Sequence, residues 1–217
     1  MNVLFDLDGT LTDPHDGITA SIEHALRKLG VSSPPRHALK RFIGPPLRDT
    51  FAHLLGGARV ASTDPALIDA AITFYRERFS TTGLFENVPY PGIHATLSVL
   101  EQRGAALYLA TSKPRVYAER IVDHFGLGKF LTAVHGSELD GTRTDKVLLI
   151  AHILLTESLS ASATAMVGDR SHDVVGAVAN GVLPVGALWG YGSRDELVAA
   201  GATVLCERPE LLADTLL

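Results

Sequence analysis

The first residues of the chain, MNVLFDLDGTLTDPHDG, run from an apolar segment straight into Asp6 and Asp8, with Asp13 and Asp16 close behind. While the chain stays extended, Asp6 and Asp8 share a face and Leu7 turns away. Gly9 then permits a tight turn that brings main-chain N–H groups near an anion. Carboxylates gathered in one crevice repel each other unless a cation compensates. A hard divalent ion meets that need. Mg²⁺ prefers oxygen ligands and couples carboxylates to a substrate phosphate, which suits Asp6 together with Asp169. Lys146 and the hydroxyl of Thr111 offer a phosphoryl group a positive charge and a hydrogen-bond donor on its other sides. The nine histidines have no metal-ligand spacing and are expected on surfaces or in packing. Asp13 and Asp16 are expected to cap a helix, with Pro14 at its first position.

Such residues need a frame that brings them together. Apolar runs recur as NVLF, AALYLA, TAV, TAMVG, LPVGAL and TVLC. Helical patterns lie between them: Ile93, Leu97 and Leu100; Val116, Ile121 and Phe125; Val147, Ile150, Ala151 and Leu154; Val174, Val175 and Val178. Apolar strands alternating with helices predict an α/β fold, a Rossmann-like parallel sheet covered on both faces. In such sheets ligands bind outside the carboxyl ends of the strands. Asp6, Thr111 with Ser112, and Asp169 each follow an apolar run and are expected at one rim, with Lys146 in the loop or first helical turn after another strand. Residues 13–85 break the rhythm. Ile18, Ile22, Ala25, Leu26 and Leu29 give a helical face, and helix-like patterns follow near 47–55 and 65–80. The expected organisation is a core of 1–12 and 86–217 with an all-helical insertion, 13–85.

With 217 residues, 46% hydrophobic and 20% charged, the chain can bury a core. A net charge of -5 gives no general attraction to nucleic acid or to an anionic membrane. One cysteine excludes an internal disulfide framework. No run approaches a membrane span, and the N-terminus lacks a basic segment followed by an apolar one, so the cytoplasm is expected. The oligomeric state is left between monomer and dimer.

Four segments in order resemble the motifs of the haloacid dehalogenase superfamily in its phosphatase form: FDLDGTLTD, LATSKP with Thr111, the DK of Asp145 and Lys146, and MVGDRSHD with Asp169 and Asp173. The resemblance covers essentially the whole chain. It implies that Asp6 is the nucleophile, forming an aspartyl-phosphate, and that Asp8 is the general acid and then base. It implies Mg²⁺ held by Asp6, Asp169 and the main-chain carbonyl of Asp8, with Asp173 in support. Gly9, Thr111, Ser112 and Lys146 would bind the phosphate. The helical insertion resembles the family's cap, in which Arg48 of RFIGPPLRDTF would meet a second anionic group of the substrate.

GSELDGTRTDK and LWGYGSRDEL place the resemblance in the phosphoglycolate-phosphatase-like branch, closest to bacterial 5'-nucleotidase-like phosphatases. Lys146 is followed by Val147 and Leu148 rather than standing in the branch's KPxP context, which weakens transfer of phosphoglycolate specificity. The implied substrate is a small phosphate ester, foremost a nucleoside 5'-monophosphate. Phosphoglycolate or a broad range of small phosphates is the alternative, and a sugar-phosphate mutase uses the same acids. Asp8 argues against a dehalogenase and a phosphonate hydrolase. A signalling receiver is shorter and carries its acceptor on a later strand. A dinucleotide fold lacks its GxGxxG here, and a Walker P-loop is absent.

Overall fold

The run after Met1 forms strand β1 (Asn2–Phe5), in which Val3, Leu4 and Phe5 are wholly buried. The computed structural model describes residues 1–56 and 64–217, so positions 57–63 of the expected insertion lie outside the described residues. A short strand, β2 (Thr12–Asp13), leads into four helices: α1 (His15–Lys28), α2 (Arg36–Leu39), α3 (Leu47–Gly56) and α4 (Pro65–Arg78), the last continued by a π turn over Phe79–Gly83. Strand β3 (Val88–Pro89) follows, antiparallel to β2. Then come α5 (Ile93–Gln102), β4 (Ala106–Pro114), α6 (Arg115–His124), β5 (Ala133–Ser137), α7 (Lys146–Thr156), β6 (Thr164–Gly168), α8 (Ser171–Ala179), β7 (Leu183–Ala187), α9 (Arg194–Ala200), β8 (Val204–Cys206) and α10 (Leu212–Leu216). The chain divides into two units, Met1–Asp13 with Val88–Leu217, and Pro14–Asn87.

The first unit is built on a six-stranded sheet of order β5-β4-β1-β6-β7-β8, parallel throughout. After β1 the chain fills one side with β4 and β5, then returns to fill the other with β6, β7 and β8. The direction of winding therefore reverses between β1 and β6, and the crevice at such a reversal is where open α/β sheets bind ligands. Leu4 and Met166 from the sheet meet Leu149, Ile150 and Ile153 from α7 in one buried cluster. Each such side chain contributes roughly 1.5–3 kcal/mol on burial.

Three local readings are corrected. The expected stripe on α7 included Ala151, which is exposed, whereas Lys146, Leu149, Ile150 and Ile153 face inward. On α8, Val175 and Val178 are exposed while Val174, Gly176 and Ala177 are buried. A Cβ on Gly176 would come 2.9 Å from the Cβ of Lys146 and 3.0 Å from Ile150 Cδ1, so the small residue lets α8 press against the first turns of α7. Asp13 does not cap α1. The helix starts at His15 behind Pro14 without a side-chain cap, and Asp13 lies in β2, where its carboxylate accepts a hydrogen bond from the Tyr191 hydroxyl.

The second unit is helical over its described residues. Gly17 of α1 meets the π turn so closely that a Cβ there would lie 2.0 Å from the Gly83 carbonyl oxygen. Arg78 binds both oxygens of Glu86, at 2.7 and 2.8 Å, and Phe51, Tyr75 and Phe79 pack as neighbouring rings. Among the described residues no helix is long and apolar enough to cross a membrane.

Candidate active site

Asp6 leaves β1 with its N–H on the Val167 carbonyl of β6, at 3.0 Å. The chain then coils tightly: the amides of Thr10, Leu11 and Thr12 all turn back to the Leu7 carbonyl, at 3.2, 2.9 and 3.0 Å, and Gly9 N–H meets the Thr12 carbonyl at 2.8 Å. Leu7 between the two acids is wholly buried. Gly9 adopts φ +88°, and a Cβ there would fall 2.2 Å from Asp169 Oδ2. Only glycine fits both the left-handed backbone and the carboxylate against it.

Asp169 follows β6 directly, across the reversal point from Asp6. Thr10 donates to its Oδ1 at 3.2 Å, and the Tyr191 N–H donates to Oδ2 at 2.8 Å. Asp173 sits in the first turn of α8, where its Oδ2 accepts from Arg170 N–H at 3.2 Å. Gly168 makes room for it, since a Cβ at that position would be 2.2 Å from the Asp173 Cβ. Single oxygens of Asp6, Asp169 and Asp173 lie within 4.8 Å of one another, and all three residues are buried.

Lys146 opens α7 behind Asp145, whose side chain caps the helix by accepting from Leu148 N–H at 3.1 Å. Its Nζ donates to the Ala110 carbonyl at 2.7 Å and lies 2.9 Å from Asp6 Oδ1 and 2.6 Å from Asp173 Oδ1. Those two carboxylate oxygens nonetheless receive no well-aligned hydrogen bond among the described residues. Burial opposes the charge on Lys146, but Asp173 and Asp6 outweigh it and hold its pKa above the ordinary value. Burial pushes the Asp169 carboxyl up to about 8, with Asp173 and Asp6 adding to the effect. Asp173 is also raised by burial, against the pull of Lys146. Asp6 and Asp173 thus share the Lys146 ammonium, while Asp169 beside them is held up by burial and by both acids.

Thr111 and Ser112 lie within the end of β4 rather than beyond it, because pairing with β5 continues across an irregularity between Thr111 and Pro114. Thr111 is buried and its Oγ1 accepts from Lys113 N–H at 3.3 Å. The Ser112 hydroxyl donates to the Thr144 carbonyl at 2.8 Å, tying the strand end to the loop ahead of α7. Arg48 is on α3 in the helical unit, exposed and paired with Asp69 of α4.

Lys113, not singled out from the sequence, and the stretch Trp189–Gly192 complete the surroundings. Lys113 binds Asp8 through both oxygens, at 2.8 and 2.7 Å, with both side chains nearly buried. Burial raises the Asp8 carboxyl above its ordinary range, and Lys113 works in the opposite direction. The stretch Trp189–Gly192 closes over Asp169. Trp189 Nε1 donates to the Thr10 carbonyl at 2.9 Å, and a Cβ on Gly190 or Gly192 would sit 2.3 Å from Asp169 Cβ or 1.9 Å from its carbonyl oxygen. Tyr191 bonds Asp13 and Tyr90, and burial holds both tyrosines protonated well above the ordinary phenol range. The signal for this loop was the Gly-Tyr-Gly spacing after an apolar run, which a glycine-rich turn also explains.

Comparison with known proteins adds four findings. A family model described as haloacid dehalogenase-like hydrolase matches residues 3–187. A 5'-nucleotidase of Pseudomonas aeruginosa is 49% identical over 205 residues, 94% of this chain and 90% of its own, and a protein of Mycobacterium tuberculosis named tyrosine-protein kinase PtkA is 37% identical over 203 residues, 94% of this chain and 67% of its own. The crystal structure of a predicted phosphatase from Clostridium acetobutylicum, 38% identical, superposes with a TM-score of 0.91 over 98% of this chain and 96% of that one.

Proposed function

Because the chain belongs to the haloacid dehalogenase-like hydrolase family, we propose that this phosphatase acts on nucleoside 5'-monophosphates, through Asp6 as nucleophile and Asp8 as acid and base. The observation that carries the reading is the meeting of Asp6, Asp169 and Asp173 within 4.8 Å at the reversal of the sheet, with Lys146 against Asp6. The 5'-nucleotidase at 49% identity over 94% of the chain supports the substrate class.

The donor set fits Mg²⁺. It consists of oxygens alone, two of them buried without a well-aligned hydrogen bond, around a carboxyl that burial and its acidic neighbours hold near 8. Asp6, Asp169 and the main-chain carbonyl of Asp8 would hold the ion, with Asp173 beside them. When bound it supplies positive charge that offsets the acids and the phosphoryl oxygens.

The chain's own groups carry the reaction. Asp6 attacks phosphorus and forms the aspartyl-phosphate while the bond to the leaving oxygen breaks. Asp8 gives that oxygen its proton, then takes one from the water that hydrolyses the intermediate. Lys146 and the Thr111 hydroxyl hold phosphoryl oxygens, and Lys146 keeps Asp6 from repelling its anionic target. Gly9 lets the backbone approach the same group. The helical unit is the proposed source of substrate selection, and the cytoplasm the proposed compartment.

The test is phosphate release across nucleoside 5'-monophosphates, phosphoglycolate and hexose phosphates, with and without a chelator. The expected outcome is a kcat/KM for at least one nucleotide about tenfold or more above the other classes, lost on chelation and restored by Mg²⁺. Equal slow turnover of every class would contradict the nucleotide assignment, and undiminished turnover in chelator would contradict the metal.

A further inference from the structure

Lys113 stands where the regular pairing of β4 fails. Thr111 pairs with Gly136 and the next paired residue is Pro114, opposite Ser137, so β4 spends Ser112 and Lys113 on an irregularity that β5 does not match. Irregularities of this kind re-aim a side chain at a strand end. This one is fastened on several sides. Ser137 Oγ donates to the Ser112 carbonyl at 2.8 Å, Ser112 Oγ donates to Thr144, and Lys113 N–H meets Thr111 Oγ1. Gly136 lies so close beneath that a Cβ there would be 2.6 Å from the Lys113 carbonyl oxygen and 2.9 Å from Arg115 Cα. The outcome is an ammonium 2.7 and 2.8 Å from the two oxygens of Asp8, nearly out of water, on a side chain the reaction described above does not use.

We infer that Lys113 is the positioning residue of the acid–base step, holding the Asp8 carboxyl group toward the leaving oxygen and facing the charge Asp8 acquires there. The inference rests on the phosphatase reading with Asp8 as acid. In the first step the bond from an Asp6 oxygen to phosphorus forms as the bond from phosphorus to the leaving oxygen breaks. That oxygen takes the proton of Asp8, and the carboxylate so formed lies against the Lys113 ammonium. In the second step water gives a proton to Asp8 as its oxygen bonds phosphorus and the Asp6 oxygen departs, so the acid is regenerated. An ammonium fixed on both oxygens restricts the carboxyl group to one direction through both steps, which a carboxyl group alone in the loop would not keep.

The experiment compares phenyl phosphate with 4-nitrophenyl phosphate, two substrates of similar shape whose leaving groups differ in their need for a proton. Because kcat/KM reports events up to the first irreversible step, it isolates breakage of the ester. For Lys113→Met, kcat/KM should fall at least about 10-fold further on phenyl phosphate than on 4-nitrophenyl phosphate. Gly136→Ala, which disturbs the fastening and leaves the lysine in place, should shift the ratio in the same direction, and Lys113→Arg should recover part of it. Activity on the nitrophenyl ester serves as the check that each variant is folded. An equal fall on both esters would assign Lys113 to phosphate binding or to stability and overturn the inference. Asp8→Asn in the same assay separates the two levels. If it discriminates between the esters and Lys113→Met does not, the inference fails while the phosphatase reading stands; if Asp8→Asn does not discriminate either, both fail.

Discussion

Asp6→Asn should release inorganic phosphate at least about 10⁴-fold more slowly than the parent protein, a barrier increase of about 5.4 kcal/mol. The amide has nearly the shape of the carboxylate and no capacity to form a stable phosphoryl ester, so the two-step route closes at its first bond. Folding should survive, because the substitution removes one of three buried acids and leaves Lys146 paired with Asp173 at 2.6 Å. Circular dichroism and the melting midpoint should therefore stay close to those of the parent. Phosphate release within a few-fold of the parent would remove Asp6 from its role, and a collapsed fold would mean that the Asp6 contact with Lys146 matters more for stability than for chemistry.

Lys146→Met should have the largest effect on stability. The ammonium touches Asp6, Asp173 and the Ala110 carbonyl, and it is the cation that faces both acids in the interior. Breaking a buried ion pair by removing one partner costs roughly 3–5 kcal/mol, because the other charge stays desolvated. For a chain of this length that corresponds to a melting midpoint lower by roughly 10 °C. The methionine keeps the bulk of the lysine stem beside Gly176, so loss of packing is a small part of the change. Mg²⁺ should restore some of the lost stability, since it answers the same excess of negative charge, while activity stays low for want of the ammonium on the phosphoryl group. Thermal melts in chelator and in Mg²⁺ read both effects. A variant as stable as the parent in chelator would show that the acids shed their charge by taking up protons, without need of Lys146.

These two effects follow from residues that the sequence exposes because each acid or lysine sits at the border of an element. Asp6 and Asp169 end apolar runs, and a parallel sheet with apolar strands has its ligand edge there. Lys146 is expected in the loop or the first helical turn after a strand, and the structure puts it at the start of α7 behind Asp145. The phase of α7 and α8 was not legible, although the expected faces of α1 (Ile18, Ile22, Ala25, Leu26) and α5 (Ile93, Leu97, Leu100) are buried. Helix α7 carries apolar residues almost all round, and periodicity then has no single face to report, which is why Ala151 is exposed and Leu149 is buried against expectation. On α8 the inward face holds Gly176 and Ala177 beside Val174 because α7 presses close, and Val175 and Val178 point to water. Proximity, rather than hydrophobicity, decides that arrangement.

Contacts made by irregular backbone were hidden for a different reason. Lys113 reaches Asp8 only because β4 slips its register, and Tyr191 reaches Asp13 only because the loop after β7 folds over Asp169. Residue spacing does not encode either event. Asp13 illustrates the resulting error: an aspartate before a proline and an apolar helical stripe has every local mark of a cap, yet its carboxylate serves a partner 178 residues away.

The most direct test is an acid quench during steady turnover of a phosphate ester isotopically labelled in its phosphoryl group, followed by peptide mass analysis. The labelled phosphoryl group is expected on Asp6 while labelled substrate lasts, is expected to be discharged when unlabelled substrate is added in a chase, and is expected to be absent from Asp6→Asn. Undiminished turnover with no labelled residue, or with the label on another side chain, would contradict Asp6 as the nucleophile.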